Sequence, residues 1–288
     1  MRGGIWWLAS YPKSGNTWLR AILATLVSGK PVDINAMAFL GPNASSRSLF
    51  DRALGIDSAS LSHEQELNLR PRVYEILAGE AGRPLYCKTH DAYRPTPAGE
   101  PLFPAAATHG AVYVVRDPRA VAVSSVHFMA RPIDETIAVM DSPTAVSAGS
   151  TQRLSQHLRQ PLLCWCEHVE SWLAAPFPVH LMRYEDMLAD PRATVRAMAE
   201  FLCLPASEAA IAMAVEATSF SRLQAQERAI GFVESPRHAA AFFREGEADG
   251  WRRALTLEEA GRIVAAHGHV MRRLGYDAAE HCGGERER

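Results

Sequence analysis

The sequence predicts an α/β protein: a parallel sheet with helices packed on both faces. Three observations carry that expectation. Short apolar runs alternate with helical patterns along most of the 288 residues, the order that builds strand–helix–strand units. One run, Gly110 to Val115 (GAVYVV), is apolar throughout rather than alternating, as suits a strand buried on both sides. Near the start, Ile5 to Ser10 (IWWLAS), the breakers Pro12 and Gly15, and Thr17 to Val27 (TWLRAILATLV) spell strand, tight loop and helix.

The remaining elements follow in order. Pro31 to Ser60 reads as irregular, punctuated by Gly41, Pro42, Asn43 and Ser45-Ser46. Leu61 to Gly79 is helical in character but interrupted at Pro71. Together, residues from about 31 to 80 are expected to form a cap over the sheet. Leu85 to His90 (LYCKTH) is a second short strand that ends in polar groups, and Gly110 to Val115 is the third. Asp117 and Pro118 fit the N-cap and first position of a helix over Arg119 to Met129. Arg131 to Gln160, rich in Ser, Pro, Ala and Gly, reads as an irregular lid over about 130–160.

Pro161 to Ala174 is an amphipathic helix and Val179 to Arg183 a fourth strand. Tyr184 to Met187 turns into a helix, Asp190-Pro191 caps another that runs to Leu202, and Ala206 to Ala217 is helical. Arg228 to Gly250 has weak periodicity and reads as a loop. Thr256-Leu257-Glu258-Glu259 is a capping box for the last helix, which Gly275 closes before the charged tail Glu285 to Arg288. With no internal repeat and no linker composition, one domain over 1–288 is expected.

Composition narrows the function. A hydrophobic fraction of 48% with formal net charge −2 describes a globular protein without the basic bias of a nucleic-acid binder. No apolar run approaches the ~20 residues of a membrane span, and a first strand opening at about residue 5 leaves no room for a secretory signal. A cytoplasmic protein is expected. The five cysteines, Cys87, Cys164, Cys166, Cys203 and Cys282, have no framework spacing and read as reduced thiols. Cys164 and Cys166 fall inside the helical pattern, where side chains two apart diverge; His267 and His269 are spaced alike, so no metal site is expected. Among 30 basic residues only Lys13, Lys30 and Lys88 are lysine, which fits a GC-rich bacterial genome. Two of the three lie beside the expected chemistry, where a compact ammonium is not interchangeable with a guanidinium.

That chemistry begins at the first loop. Between a strand and a helix, backbone N–H groups converge where the helix dipole is positive. Lys13 adds a mobile charge, and Ser14 and Thr17 add hydroxyls, so the loop is a cradle for phosphate or sulfate. It is not the usual nucleotide loop, since Lys13 precedes Ser14-Gly15 and the only Gly-Lys pair, Gly29-Lys30, is followed by Pro31. No G-x-G-x-x-G occurs. Ligands of open parallel sheets bind at the carboxyl ends of the strands. Lys13, Lys88, His90, Arg116 and Tyr184 all stand at or just past such an end.

Tyr11-Pro12-Lys13-Ser14-Gly15-Asn16-Thr17-Trp18 resembles the loop with which sulfotransferases hold the 5′-phosphosulfate of 3′-phosphoadenosine-5′-phosphosulfate (PAPS). The resemblance touches five segments between Tyr11 and Trp251, in the expected order. It implies a P-loop-like three-layer α/β/α fold with helical cap and lid insertions, and PAPS as donor with PAP as product, without a metal. Lys88-Thr89-His90 is similar to the family's Lys-Thr-His, which implies His90 as the base and Lys88 on the sulfuryl oxygens, with Lys13 at the bridging oxygen. Arg116 and Ser124, eight apart, match its 3′-phosphate site. Trp18, Tyr184, Thr218 and Phe220 match positions around the adenine.

Arg244-Glu245-Gly246 resembles the family's Arg-Lys-Gly turn over the 3′-phosphate, with Glu245 replacing a basic residue; Asp249-Gly250-Trp251 reverses its Gly-Asp order. Asn16 replaces a threonine common in animal members and keeps hydrogen-bonding capacity. The family's dimer motif survives only as Arg252, Thr256, Leu257 and Gly261 without its glutamate, which leaves a homodimer open. The implied acceptor is a small molecule with a hydroxyl. The N-terminal segment looks closest to bacterial tailoring enzymes, which implies a phenol or alcohol of a natural product. Two other readings stand beside this one: a nucleotide kinase-like phosphotransferase and a PAP-binding module without chemistry.

Overall fold

The computed structural model describes residues 3–148, 154–236 and 241–276. The chain opens with β1 (Gly4–Ser10), α1 (Asn16–Ser28), α2 (Arg47–Leu54), α3 (His63–Glu80) and β2 (Pro84–Thr89). There follow β3 (Thr108–Val115), α4 (Pro118–Met129), α5 (Ile133–Asp141), β4 (Val146–Ser147), β5 (Gln160–Pro161), α6 (Trp165–Leu173) and β6 (Val179–Arg183). The last part is helical: α7 (Tyr184–Ala189), α8 (Pro191–Phe201), α9 (Glu208–Ala217), α10 (Phe220–Ile230), α11 (Trp251–Ala254) and α12 (Leu257–Arg273). The main sheet is parallel throughout, in the order β2-β1-β3-β6. A small antiparallel pair, β4 with β5, stands apart from it.

Strand periodicity divides the interior into two cores. Ile5, Trp7 and Ala9 of β1 and Ala111, Tyr113 and Val115 of β3 point to one face, packed with side chains of α3, α5, α6 and α12. Leu8, Val112 and Val114 point to the other, against α1, α8, α9 and α10. The three-layer α/β/α arrangement follows from a sheet apolar on both sides. No described helix is long and apolar enough to cross a membrane.

Caps read from the sequence hold. Asp117 accepts from the Arg119 N–H with Pro118 at the first position, and Thr256 and Glu259 form a complete capping box. Other expectations are corrected. Pro71 lies inside a continuous α3. A proline in a helix interior costs ~3 kcal/mol, but its neighbours are anchored: Arg70 is buried on Asp91, and the Tyr74 ring meets Trp7 at 4.9 Å. The segment read as irregular contains α2, capped by Ser46. The lid contains α5 and the β4–β5 pair, its residues 149–153 lying outside the described ones. The loop expected from Arg228 begins only after α10, whose periodicity sequence reading passed over.

Cys164 also behaves differently. The helix starts at Trp165, so Cys164 is its N-cap with extended backbone. Its Sγ turns back over the first turn to lie 3.1 Å from Cys166 Sγ. The two side chains converge where an intrahelical pair would diverge. Cys87, Cys164, Cys166 and Cys203 are free thiols; Cys282 and the tail Glu285 to Arg288 lie outside the described residues. No three His, Cys, Asp or Glu side chains among the described residues are placed to hold a metal ion.

Candidate active site

The first loop is shaped by two residues in the left-handed region, Lys13 at φ 67° and Gly15 at φ 110°. For a non-glycine such as Lys13 this conformation costs on the order of 1–3 kcal/mol and persists where its surroundings enforce it. Gly15 has a second constraint, because a Cβ there would come within 2.8 Å of the Tyr184 ring. Gly15 is also the N-cap of α1, with no side-chain cap and no acidic residue in the first turn. The leading N–H groups of α1 therefore carry the positive end of the dipole without an internal counterpart. Around them Ser14 Oγ, Trp18 Nε1 and Arg116 Nε are buried polar atoms lacking a hydrogen-bond partner among the described residues. Buried donors are normally satisfied, and three orphans around one helix start fit an anionic ligand.

Cationic groups gather over this cradle. The Lys13 ammonium lies 4.1 Å from the Phe128 ring centroid and 4.2 Å from that of Phe242. Burial, with Arg116, Lys88 and Arg244 nearby, lowers its pKa to about 7. Arg116 donates to the Lys13 carbonyl at 3.3 Å and to the Glu247 carbonyl at 2.8 Å, and its guanidinium stacks 4.2 Å from the Tyr184 ring. Trp18 meets Tyr184 edge-on at 5.6 Å. Ser124 is half-buried on α4.

His90 stands at the end of β2, fixed from three sides. Its Nδ1 donates to the Ser10 carbonyl at 2.9 Å, which assigns the proton to Nδ1 and leaves the Nε2 lone pair available. Ser10 is also reached by the Asn16 amide, so the cradle and His90 share a brace. The Gln160 carboxamide accepts from the His90 N–H, and His168 Nε2 donates to the His90 carbonyl at 3.1 Å. Burial, then Lys88, lowers the His90 pKa to about 3, so the ring is neutral at physiological pH.

The carboxy-terminal segment closes over the same region. Gly246 at φ 66° lies so close to Phe220 that a Cβ would stand 2.3 Å from its ring. The Gln224 amide holds the Phe243 carbonyl at 2.9 Å, and Arg244 acts electrostatically on Lys13. Three expected site groups are committed to protein partners. Thr218 Oγ1 donates to the Ala214 carbonyl, the Asn16 amide to the Leu8 carbonyl, and the Glu245 carboxylate accepts from Arg244 at 2.8 Å.

Sequence reasoning missed several residues here. Glu234 places one carboxylate oxygen 2.9 Å from Lys88 Nζ and the other 2.6 Å from Arg20 Nη1. Asp91, beside His90, is fully buried in a bidentate pair with Arg70 at 2.7 and 2.6 Å. It also accepts from Thr89, while its carbonyl takes the Trp172 indole N–H. Arg20 carried a signal, as it lies four residues beyond Asn16 on the same helix face; Glu234 and Asp91 carried none.

Fold and site define a P-loop-like α/β protein with an anion cradle flanked by lysine, arginine and histidine. The sulfotransferase domain family matches residues 5–275, and the chain belongs to that family. It is 25% identical to cytosolic sulfotransferase 1 of Arabidopsis thaliana over 266 residues, covering 89% of this chain and 75% of that protein. It is likewise 25% identical to flavonol 3-sulfotransferase of Flaveria bidentis over 271 residues, 89% of this chain and 78% of that one. Among solved structures, retinol dehydratase in complex with androsterone and PAP superposes with a TM-score of 0.64 at 19% identity, over 96% of this chain and 82% of that one. A mouse sulfotransferase complexed with PAP gives 0.60 at 17% identity, over 94% and 86%.

Proposed function

We propose that the protein transfers the sulfuryl group of PAPS to a hydroxyl of a small organic acceptor and releases PAP. The observation that carries this reading is His90: a neutral imidazole with its proton held on Nδ1, beside Lys88 and braced to the cradle through Ser10. Binding alone needs no base, and a phosphate cradle alone needs no histidine of fixed tautomer. When bound, PAPS supplies a sulfuryl group activated by its phosphate leaving group.

In this reading, the loop from Lys13 to Thr17 and the α1 N–H groups hold the 5′-phosphosulfate. Arg116, Ser124, Arg244 and the backbone of Glu245-Gly246 hold the 3′-phosphate, and Trp18, Tyr184, Thr218 and Phe220 surround the base. His90 Nε2 takes the acceptor hydroxyl proton as the new S–O bond forms. Lys13 stabilises charge on the phosphate oxygen released when the old S–O bond breaks, and Lys88 neutralises the sulfuryl oxygens. His90 has a weak proton affinity in the nucleotide-free site, and a nearby polyanion raises it toward the working range. The reading takes the chain as one domain, with the cap and lid supplying acceptor contacts and a cytosolic location like that of the relatives.

A mass-spectrometric assay with PAPS and a library of hydroxylated acceptors tests it. A product heavier by one sulfuryl group is expected, and nucleotide binding without product from any acceptor would count against transfer. Calorimetry separates the kinase reading: PAP binding indifferent to EDTA is expected, whereas Mg²⁺-dependent ATP binding in its place would favour phosphotransfer.

A further inference from the structure

Lys88 is not alone at the end of β2. Arg20, on α1 one turn past Asn16, reaches the same point, and the side chains of both cations are largely buried, 14% and 16% exposed. Between them sits the Glu234 carboxylate, one oxygen on each cation at 2.6 and 2.9 Å. Two cations that each take a separate oxygen of one planar anion form a built oxyanion seat, and two oxygens of a sulfuryl group are spaced closely enough to use it in the same way. Lys88 stands two residues before His90 at the carboxyl end of β2, so the seat lies beside the candidate base.

The anion now in the seat comes from a peripheral turn. Glu234 follows α10 and its cap, Gly231, whose φ is positive at 72°. Ser235 closes a tight turn onto the Phe232 carbonyl, and Asn35 clasps Gly231 and Val233. Phe232 anchors the turn in the core, while the neighbouring Val233 is 75% exposed.

We propose that Arg20 and Lys88 together seat the transferring sulfuryl group, and that Glu234 is the internal anion the donor must displace from that seat. The proposal rests on the PAPS reading and adds two residues to it. A carboxylate and a sulfuryl group cannot share one pair of cations, and their negative charges repel at contact distance. Protonation does not clear the seat. Burial disfavours the Glu234 carboxylate, but Lys88 and Arg20 outweigh it and hold its pKa at about 2. The side chain therefore leaves as an anion, by rotation or by opening of the turn. PAP lacks the sulfuryl group, so after transfer the seat is again free for Glu234.

Binding of PAP and of PAPS without acceptor, measured by calorimetry, and the acceptor KM from steady-state assays, compared for wild type, Glu234→Gln, Arg20→Gln and Arg20→Lys, test this. Glu234→Gln removes the competitor and is expected to tighten PAPS about tenfold, with PAP changed less than threefold. Arg20→Gln is expected to weaken PAPS about tenfold and PAP much less, with partial recovery in Arg20→Lys. Equal shifts for both nucleotides would overturn the proposal, because the seat would then serve a phosphate or only structure. A change confined to the acceptor KM would overturn it too, assigning the seat to an acidic group of the acceptor. So would weaker PAPS binding by Glu234→Gln, which would make Glu234 an organiser of Lys88. Wild type that binds neither nucleotide is a separate outcome and would refute the PAPS reading itself.

Discussion

Titration of Lys13 should govern how nucleotide binding responds to pH. In the free protein burial, with the arginines and Lys88 nearby, lowers its ammonium to about 7. A bound polyanion reverses that electrostatic burden and raises the pKa. A group whose pKa rises on binding takes up a proton, so affinity is greatest below the free pKa and falls as pH rises above it. With a free value of about 7, roughly 3% of Lys13 remains charged at pH 8.5. Binding should then be about 25-fold weaker than at pH 6.5, or roughly 2 kcal/mol. At pH 8 the complex should take up about 0.9 proton from buffer. Phosphate second ionisations lie near 6 and are almost complete there, and guanidinium groups stay charged.

Calorimetry with PAP at pH 8, in buffers of different ionisation enthalpy, reads the proton directly. A pH series from 7.5 to 9 gives the slope, approaching tenfold per unit until the pKa of the complex is reached. Lys13→Gln should bind weakly without the uptake, and Lys13→Arg should keep its charge and flatten the slope. Wild-type affinity independent of pH over this range would refute the reasoning. Uptake that survives in Lys13→Gln would assign the proton to another group.

Other predictions concern separate parts of the site. His90→Ala should lower turnover by about two orders of magnitude or more with PAP affinity almost intact, whereas Arg116→Ala should weaken PAP by roughly ten- to a hundredfold; steady-state assays and calorimetry compare them, and loss of affinity with turnover kept in His90→Ala would make His90 a binding residue. Arg70→Met leaves Asp91 as an uncompensated buried charge and should cost about 3–5 kcal/mol of stability, read by urea denaturation; a loss below about 1 kcal/mol would show that Asp91 finds another partner. Gly15→Ala places a methyl 2.8 Å from the Tyr184 ring in a left-handed backbone and should abolish PAP binding in a protein that still folds by circular dichroism.

Much of this site was legible because its parts obey local rules. A strand, two breakers and an amphipathic run specify the cradle, and Asp117-Pro118 specifies the start of α4 within a few residues. Lys88 and His90 were visible because a short strand ends there, and the ends of parallel strands share one edge of the sheet. Elements whose form depends on tertiary partners were not legible. Pro71 reads as a break because local energetics say so; it is overruled by the pairing of Arg70 with an aspartate 21 residues away. Cys164 reads as helical because periodicity does not locate the first residue of a helix, and one misplaced turn reverses where its side chain points.

The positions sequence reasoning missed share a physical cause. Asp91, His168 and Glu234 act through contacts whose sequence separations follow no repeat. His168 is 78 residues from His90, and Glu234 is 146 from Lys88 and 214 from Arg20. Such groups do not declare their role by type, since an isolated glutamate in a polar loop is by default solvated. For the two carboxylates, the role follows from the charge they balance. The segment from Lys88 to Asp91 carries a buried ammonium, a neutral imidazole and a buried carboxylate in four consecutive residues. Asp91 is neutralised permanently and bidentately by Arg70, which secures the backbone under His90. Lys88 is balanced by a carboxylate on a turn that Phe232 and Asn35 anchor. A fixed counter-ion under His90 and, as proposed, a displaceable one on Lys88 would let the site stay in place while exchanging one anion for another.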